Sequence, residues 1–280
     1  AHEPIDDVFE ALDAFLSEDA EALHIGYFGY DLGRCIETLP ATAERDGNLP
    51  VIHLSRCPGF AVYDNVKRQW RTFGRWRQQP PDALTHDRQD DAPTPQPLVF
   101  SGEVIGDDRE AYTAGVQRVI DYIAAGDVFQ VNLARRLAFE YRGDPRTLSL
   151  QLMSDSPAWY AAHLECLRPG ERQRDVLCAA SPELFLEVDG QRVVTTRPMK
   201  GTRPAEVAVE QLRDSEKDRA ELNMIVDLMR NDLGRVCDIG SVRVIEPRCI
   251  ESHPTVHQAV ATVQGRLNDR HSLGDLLRAT

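Results

Sequence analysis

The chain has no Cys-x-x-Cys pair, although it carries six cysteines in 280 residues. That absence excludes the common zinc patterns and the dithiol redox motif. The six thiols are also too sparse for a disulfide framework in a chain of this length, so we expect them to be buried and reduced, as in a cytoplasmic protein. Two phosphate-binding signatures, Gly-x-Gly-x-x-Gly and the phosphate loop, are missing as well.

Long apolar runs and an excess of positive charge are absent too. No stretch of about 18 apolar residues occurs, so no membrane span is expected. Residues 1–7 lack a basic segment leading into an apolar one, so no signal peptide is expected, and the missing initiator Met indicates a trimmed beginning. The net charge of −13 argues against a nucleic-acid partner. A small anionic substrate stays open, because a basic pocket can lie in an acidic protein.

A proline-rich segment divides the chain. Residues 79–97 hold five prolines among polar residues, which is typical of a loop or linker. They separate an N-terminal subdomain, residues 1–78, from a second globular stretch, residues 98–280. Strand and helix signals mix without a regular βαβ rhythm, which favours an α+β fold with mostly antiparallel sheets. Helices are predicted over residues 6–23, 109–125 and 215–229, and strands over residues 51–54, 60–63, 70–76, 129–134, 176–180, 184–188 and 193–196.

Lys200 is the candidate nucleophile. It follows the predicted strand and lies between Pro198, which interrupts ladder pairing, and Gly201, which permits backbone conformations closed to other residues. A lysine held at such a break can point into a cleft. Desolvation of its ammonium there lowers the lysine pKa and frees the amine to act as a nucleophile. The alternative is a surface lysine beside a turn.

Two carboxylates are candidates for the same site. Glu221 is predicted to lie in the apolar stripe of the helix that Ser215 begins, where a buried carboxylate needs a cation or strong donors. It is therefore either an ion-pair partner of Arg197 or Arg203, or a ligand of Mg²⁺. Glu183 is predicted between two strands, either as a general acid or base whose pKa is raised by burial, or as an exposed turn residue.

Two histidines form a third candidate group. His253 and His257 are four residues apart, so they could share a helix face and bind a metal. Pro254 lies between them and interrupts a regular helix, so ordinary polar or packing roles are the alternative.

Together these stretches resemble the chorismate-utilising enzymes, and among them the component I family of aminodeoxychorismate synthase. The resemblance runs across nearly the whole chain and rests on several long ordered motifs. A sister family, anthranilate synthase component I, shares most of them but has a small residue at the position of Lys200. That difference favours the first family. The matching motifs are Gly26–Gly33, Gly126–Leu133, Ser181–Glu183, Arg197–Pro204, Ser215–Arg235 and Gly240–Val242.

The resemblance implies an α/β sandwich like that of anthranilate synthase component I. It further implies Mg²⁺-dependent amination of chorismate to 4-amino-4-deoxychorismate, on the cytoplasmic route to 4-aminobenzoate and folate, with ammonia from a glutamine amidotransferase subunit. Lys200 would attack C2 of the ring and expel the C4 hydroxyl, before ammonia enters at C4 and releases the lysine. Glu183 would be the acid or base at that hydroxyl, and Glu221 the Mg²⁺ ligand. Gly201 and Thr202 would contact the substrate.

The chain departs from the family pattern in three places. The family has Ala-Glu-Asn-Leu-Met or Ala-Glu-His-x-Met where this chain has Ala-Glu-Leu-Asn-Met at residues 220–224, and many relatives have a histidine at the position of Gln258. Relatives also continue past Thr280, with a second Mg²⁺ carboxylate. We therefore expect this chain alone to be weakly active or inactive. The alternatives are an anthranilate synthase component I and a non-catalytic partner-binding module.

Overall fold

The computed structural model describes residues 7–280 except for residues 20, 41–48, 86–98, 107 and 168–173. Packing divides the chain into two compact units, one formed by residues 1–92 and 152–280 and the other by residues 93–151. The division of the sequence at residues 79–97 rests on composition and stays a prediction. No helix in the described ranges is both long and apolar enough to span a membrane.

The first part of the larger unit consists of a helix and two antiparallel hairpins. The helix begins after Asp7, whose carboxylate accepts hydrogen bonds from the N–H groups of Phe9 and Glu10. The helix ends at Ser17, before the predicted boundary at residue 23, because strand β1 begins at Leu23. Strand β1 pairs with β2, and β3 pairs with β4. The elements are α1 (Val8–Ser17), β1 (Leu23–Phe28), a 3-10 helix (Tyr30–Cys35), β2 (Ile52–Cys57), β3 (Gly59–Asp64), β4 (Gln69–Gly74), a second 3-10 helix (Arg75–Arg77) and α2 (Asp82–Thr85).

The smaller unit contains the predicted helix at residues 109–125. Asp108 caps it by accepting a hydrogen bond from the Ala111 N–H, and Gly126 ends it at a φ of +80°. The strand predicted at residues 129–134 is wrong, because no described strand pairs with that segment and the ladder begins only at residue 138. The elements are β5 (Val99–Ile105), α3 (Arg109–Ala125), β6 (Ala138–Arg142) and most of α4 (Pro145–Asp155).

The rest of the larger unit is built on a five-stranded antiparallel sheet. Its centre is β13, which pairs with β12 along one edge and with β10 and then β11 along the other; β9 adds to β10. The remaining elements are β7 (Tyr160–Leu167), β8 (Arg174–Ser181), β9 (Leu184–Val188), β10 (Val193–Arg197), β11 (Met199–Pro204), α5 (Glu210–Arg213), α6 (Glu216–Gly234), β12 (Arg243–Ser252), β13 (Val256–Arg266) and α7 (Leu273–Ala279). The pairings confirm the predicted α+β class with antiparallel sheets.

The hydrophobic core lies between this sheet and α6. Alternate residues of β13, including Ala259, Ala261 and Val263, point to one face and are fully buried there. From α6, Leu222 and Leu233 meet them and are equally inaccessible to solvent. The contact fixes α6 against the sheet, and with it the segments on which the candidate site residues lie.

The cysteines follow the sequence expectation in part. All six are free thiols, and Cys166 and Cys237 are buried. Burial, helped by the neighbouring Asp238 carboxylate, raises the pKa of Cys237 to about 11, so this thiol stays protonated at neutral pH. The expectation of burial is wrong for Cys35, which ends the first 3-10 helix and is exposed.

Leu222→Ala is expected to lower the free energy of unfolding by about 3 kcal/mol, because it opens a cavity between α6 and β13. The matched control is Leu228→Ala on the same helix, whose side chain is about half exposed. The control should change the free energy by roughly 0.5 kcal/mol or less. Urea unfolding measures both, and equal losses would contradict the packing described here.

Candidate functional site

Lys200 lies at an irregular point in β11. The register against β13 runs from Met199 opposite Val260 to Thr202 opposite Gln258, so three steps along β11 match two along its partner. Such a bulge re-aims the side chains around it. Lys200 is half-buried, and no carboxylate of the described residues lies within ion-pairing distance of its ammonium.

Gly201, the next residue, has a φ of +88°, which disfavours any other residue. A Cβ at this position would lie 2.8 Å from both the Cβ of Asp218 and the Cδ1 of Leu212. Helices α5 and α6 therefore pack directly on the backbone beside Lys200. The structure gives Gly201 this packing role, and its predicted substrate contact stays a prediction.

Glu183 lies in the two-residue link between β8 and β9. Its Oε1 accepts a hydrogen bond of 3.0 Å from the backbone N–H of Met199. The structure thus brings this carboxylate to the residue that precedes Lys200, as a shared site requires. The predicted burial of Glu183 is wrong, because the residue is exposed, as in the turn alternative.

Glu221 does not lie in the apolar stripe of α6, so that prediction is wrong. Its side chain is 42% exposed and its Oε1 lies 3.5 Å from the Nζ of Lys217, one turn earlier. The buried face of the helix is centred on the neighbouring Leu222, about 100° round the axis. Neither Arg197 nor Arg203 pairs with Glu221, because each has another carboxylate partner.

Asp218 is the buried carboxylate that the sequence reasoning missed. Its Oδ2 lies 2.7 Å from the Nη2 of Arg203, and its side chain is only 8% exposed. Burial acts to raise the pKa of Asp218, but contacts with the Ser215 hydroxyl and the Arg203 guanidinium outweigh it and hold the pKa below its ordinary value. No signal of this burial is present in the sequence, because Asp218 lies in the first turn of the helix that Ser215 caps, where an acidic residue is ordinarily exposed.

A second ion pair lies next to Pro198. The Arg197 guanidinium pairs with the Glu251 carboxylate, and both side chains are largely buried. The same guanidinium lies 5.8 Å from the ring centre of Trp159, and the Trp159 ring meets His253 edge-on at 5.7 Å. This pair ties the end of β10 to the end of β12.

His253 and His257 do not share a helix face, so that expectation is wrong. The segment between them is the turn of the β12–β13 hairpin, in which the His253 N–H donates to the carbonyl of Val256 at 2.8 Å. His257 lies on β13, with its Nδ1 2.8 Å from the Ser252 hydroxyl oxygen. Gln258, which follows it, pairs across strands with Thr202 on one side and Glu251 on the other. Thr202 and Gln258 therefore face the same side of the sheet.

The described residues do not form a complete magnesium site. No three side chains of His, Cys, Asp or Glu in the described ranges converge to hold a metal. Glu221 offers a single carboxylate, which the Lys217 ammonium already approaches. Mg²⁺ takes six oxygen ligands, commonly one or two carboxylates together with waters and substrate oxygens. Any magnesium at Glu221 therefore needs ligands from outside this set.

Comparison with known proteins identifies the family. The model of the chorismate binding enzymes matches residues 2–280. The chain belongs to this family. Two curated relatives are aminodeoxychorismate synthase component 1 of Klebsiella aerogenes, 36% identical over 91% of this chain, and anthranilate synthase component 1 of Thermus thermophilus, 39% identical over 87% of it. The chain spans 56% and 54% of their lengths, so it matches little more than half of either.

A solved structure supports the same assignment. The crystal structure of anthranilate synthase component I from Streptococcus pneumoniae matches 99% of this chain with a TM-score of 0.76 and 25% identity. The chain covers 66% of that protein. The match confirms the predicted fold, that of an anthranilate synthase component I. The roles of Lys200, Glu183, Gly201, Thr202 and Glu221 in this member of the family stay predictions.

Asp218→Asn is expected to lower the free energy of unfolding at pH 7 by roughly 2 kcal/mol, because it replaces a charge-assisted contact to Arg203 with a neutral one. The pKa of Asp218 is lower in the folded state, so its carboxylate stabilises the fold above the unfolded pKa, near about 4, and loses that contribution as the pH falls through the folded value. The difference between parent and variant should therefore shrink below about pH 4. Urea unfolding across this range measures it.

The control is Asp227→Asn on the same helix, whose side chain is largely exposed and pairs with Arg230. It should change the free energy of unfolding by about 0.5 kcal/mol or less. A difference between Asp218→Asn and the parent that stays constant with pH would contradict the inferred pKa.

Gly201→Ala is expected to lower the free energy of unfolding by about 2 kcal/mol or more, because alanine is strained at a positive φ and its Cβ would overlap Asp218 and Leu212. Gly190→Ala is the control, since its Cβ would meet open space. Thermal unfolding should show a clear loss for the first variant and almost none for the second. Similar melting temperatures would argue against the close packing of α6 on β11.

Proposed function

We propose that the protein is an aminodeoxychorismate synthase component I. In this proposal it aminates chorismate to 4-amino-4-deoxychorismate, with ammonia from a glutamine amidotransferase subunit, for 4-aminobenzoate and folate synthesis in the cytoplasm. The family assignment supports chorismate as the substrate. The observation that carries the amination is Lys200, half-buried on a bulged strand and without an anionic partner among the described residues.

The surroundings of Lys200 suit a nucleophilic amine. The side chain is half-buried and has no carboxylate partner among the described residues, so no ion pair ties it down. Glu183 lies next to Met199, the residue before Lys200, with its carboxylate held at the Met199 N–H by one hydrogen bond. The other oxygen of the Glu183 carboxylate can then accept and donate a proton. One amine and one carboxylate, both positioned by the same strand, are the groups that the reaction requires.

The proposed steps balance with these two groups. Lys200 gives up a proton to Glu183 through an intervening water, because the two groups lie outside ion-pairing distance, and the free amine forms a bond to C2 of the ring. The ring double bond shifts, the C4–O bond breaks and Glu183 returns the proton, so the hydroxyl leaves as water. Ammonia then forms a bond to C4, the double bond shifts back and the C2–N bond to Lys200 breaks. Splitting one difficult substitution into two displacements lowers the barrier of each.

Magnesium and the amidotransferase are part of the same proposal. When bound, Mg²⁺ would offset the charge of the substrate carboxylate, and Glu221 would be one of its ligands. The remaining ligands would come from a part of the relatives' length that this chain does not match. For this reason we expect the 280-residue chain alone to turn over chorismate weakly or not at all.

Anthranilate synthesis is the second candidate function, since relatives of that name are as similar to the chain as those of the first. Lys200 favours the first candidate, because the resembling anthranilate synthase motif has a small residue at that position. A non-catalytic partner-binding module is the third candidate. The retained Lys200, Glu183 and Glu221 speak against a module, because docking alone has no need of them.

Lys200→Ala is expected to reduce chorismate amination by roughly a thousandfold or more in the full-length protein, because it removes the attacking amine. The chain has only three lysines, and Lys67→Ala in the β3–β4 turn is the matched control with an unchanged rate. The assay separates 4-amino-4-deoxychorismate from anthranilate plus pyruvate by chromatography. Anthranilate as the main product, or an unchanged rate in Lys200→Ala, would overturn the proposal.

A further inference from the structure

A concave site lies in the larger unit, at the open end of the β3–β4 hairpin opposite its turn. It contains none of the candidate site residues discussed so far. Its volume is about 730 Å³, within the range of small-molecule sites. Phe60 and Phe73 line it, and their rings are stacked at 5.0 Å between centres and 9° between planes. Arg75, Arg77 and Glu21 supply its charges. The site therefore combines a flat apolar wall with two cations and one anion.

The wall is held by cross-strand packing. Phe60 and Phe73 are directly opposite each other in the β3–β4 ladder, which places both rings on one face of the hairpin. The Arg71 guanidinium lies 5.4 Å from the centre of the Phe73 ring. Phe60 and the Arg71 guanidinium thus cover the faces of the Phe73 ring, so another planar ring can pack on the outer face of Phe60 and along the edges of the pair.

The two arginines are presented by a rigid turn. Gly74 has a φ of +57°, and the following N–H of Arg75 donates a hydrogen bond of 2.8 Å to the carbonyl of Pro58. A Cβ at Gly59 would lie 2.7 Å from the Cγ of Arg75, so the arginine stem crosses the strand where only glycine leaves room. The turn thereby fixes the backbone positions from which the Arg75 and Arg77 side chains extend.

The charged side chains of the site have no oppositely charged partner in the described part of the chain. No described carboxylate pairs with Arg75 or Arg77, and no described cation pairs with Glu21. Most other described arginines of the larger unit have an acidic partner, as Arg197 and Arg203 do, although Arg68 and Arg71 of the same hairpin have none among the described residues. Guanidinium groups bind carboxylates through paired hydrogen bonds, and a carboxylate such as Glu21 accepts from an amino group.

We propose that this site binds an amino-substituted aromatic carboxylate. The carboxylate lies against Arg75 and Arg77, the ring packs on Phe60 and Phe73, and the amino group donates to Glu21. A phosphate or other purely inorganic anion would leave the aromatic wall unused, and an uncharged aromatic compound would leave the arginines unused. The proposal goes beyond the proposed function and does not depend on it, because binding at this site needs no turnover.

The first experiment uses the unmodified full-length protein and four probes, measured by calorimetric titration. 4-Aminobenzoate should bind saturably and at least about threefold more tightly than benzoate, which lacks the amino group. Benzoate in turn should bind more tightly than cyclohexanecarboxylate, which has no aromatic ring, and aniline, which has no carboxylate, should not bind measurably. Absence of saturable binding by 4-aminobenzoate, or equal affinity for all the carboxylates, would overturn the proposal.

The second experiment locates the binding site. The double variant Arg75→Gln with Arg77→Gln should weaken 4-aminobenzoate binding at least tenfold, whereas Lys67→Gln, at the other end of the same hairpin, should leave it unchanged. Glu21→Gln should remove the preference for 4-aminobenzoate over benzoate while keeping benzoate affinity. Circular dichroism and melting temperature check that each variant folds. Undiminished binding in the double variant would place the ligand elsewhere, for example near Lys200, and would end the proposal whether or not chorismate amination is confirmed.

Discussion

The close approach of α6 to the backbone of β11 is the constraint on which the candidate site depends. At Gly201 the helix lies so near that no Cβ fits, and the Asp218–Arg203 ion pair bridges helix and strand beside it. The buried face of α6 then settles on β13, which pairs with both halves of the interrupted β10–β11 strand. A shift of the helix would therefore move the bulge that carries Lys200.

The site residues come from separate parts of the sheet and are joined through the backbone. Glu183, in the link just before β9, accepts a hydrogen bond from the N–H of Met199 on β11. Arg197, at the end of β10, meets Glu251 on β12. Both contacts flank Pro198, where the strand changes direction. The break in the strand thus brings the Glu183 carboxylate and the Arg197–Glu251 ion pair to the backbone that precedes Lys200.

Sequence reasoning was most successful where the signal is local. The capping residues Asp108 and Ser215, the glycine that ends α3 and the β-branched run before Pro198 each report their own backbone conformation, and the structure has each element there. Reasoning failed at residues 129–134, because a strand forms only with a partner and no described strand pairs there. At His253 and His257 the spacing alone left a helix face open while Pro254 favoured ordinary polar roles, and the structure has the two arms of a hairpin there.

The sequence alone determined the family and the α+β class, because motifs and periodicity are read along the chain, and it supplied the candidate reactive side chains as predictions. Only the tertiary structure decided which carboxylate is buried. Glu221 and Asp218 are three residues apart on one amphipathic helix, and counting round the axis cannot show which of them faces the sheet. The close contact at Gly201 turned Asp218 inward to Arg203 and left Glu221 at the edge beside Lys217. Burial depends on what packs against a face, and that partner is distant in sequence.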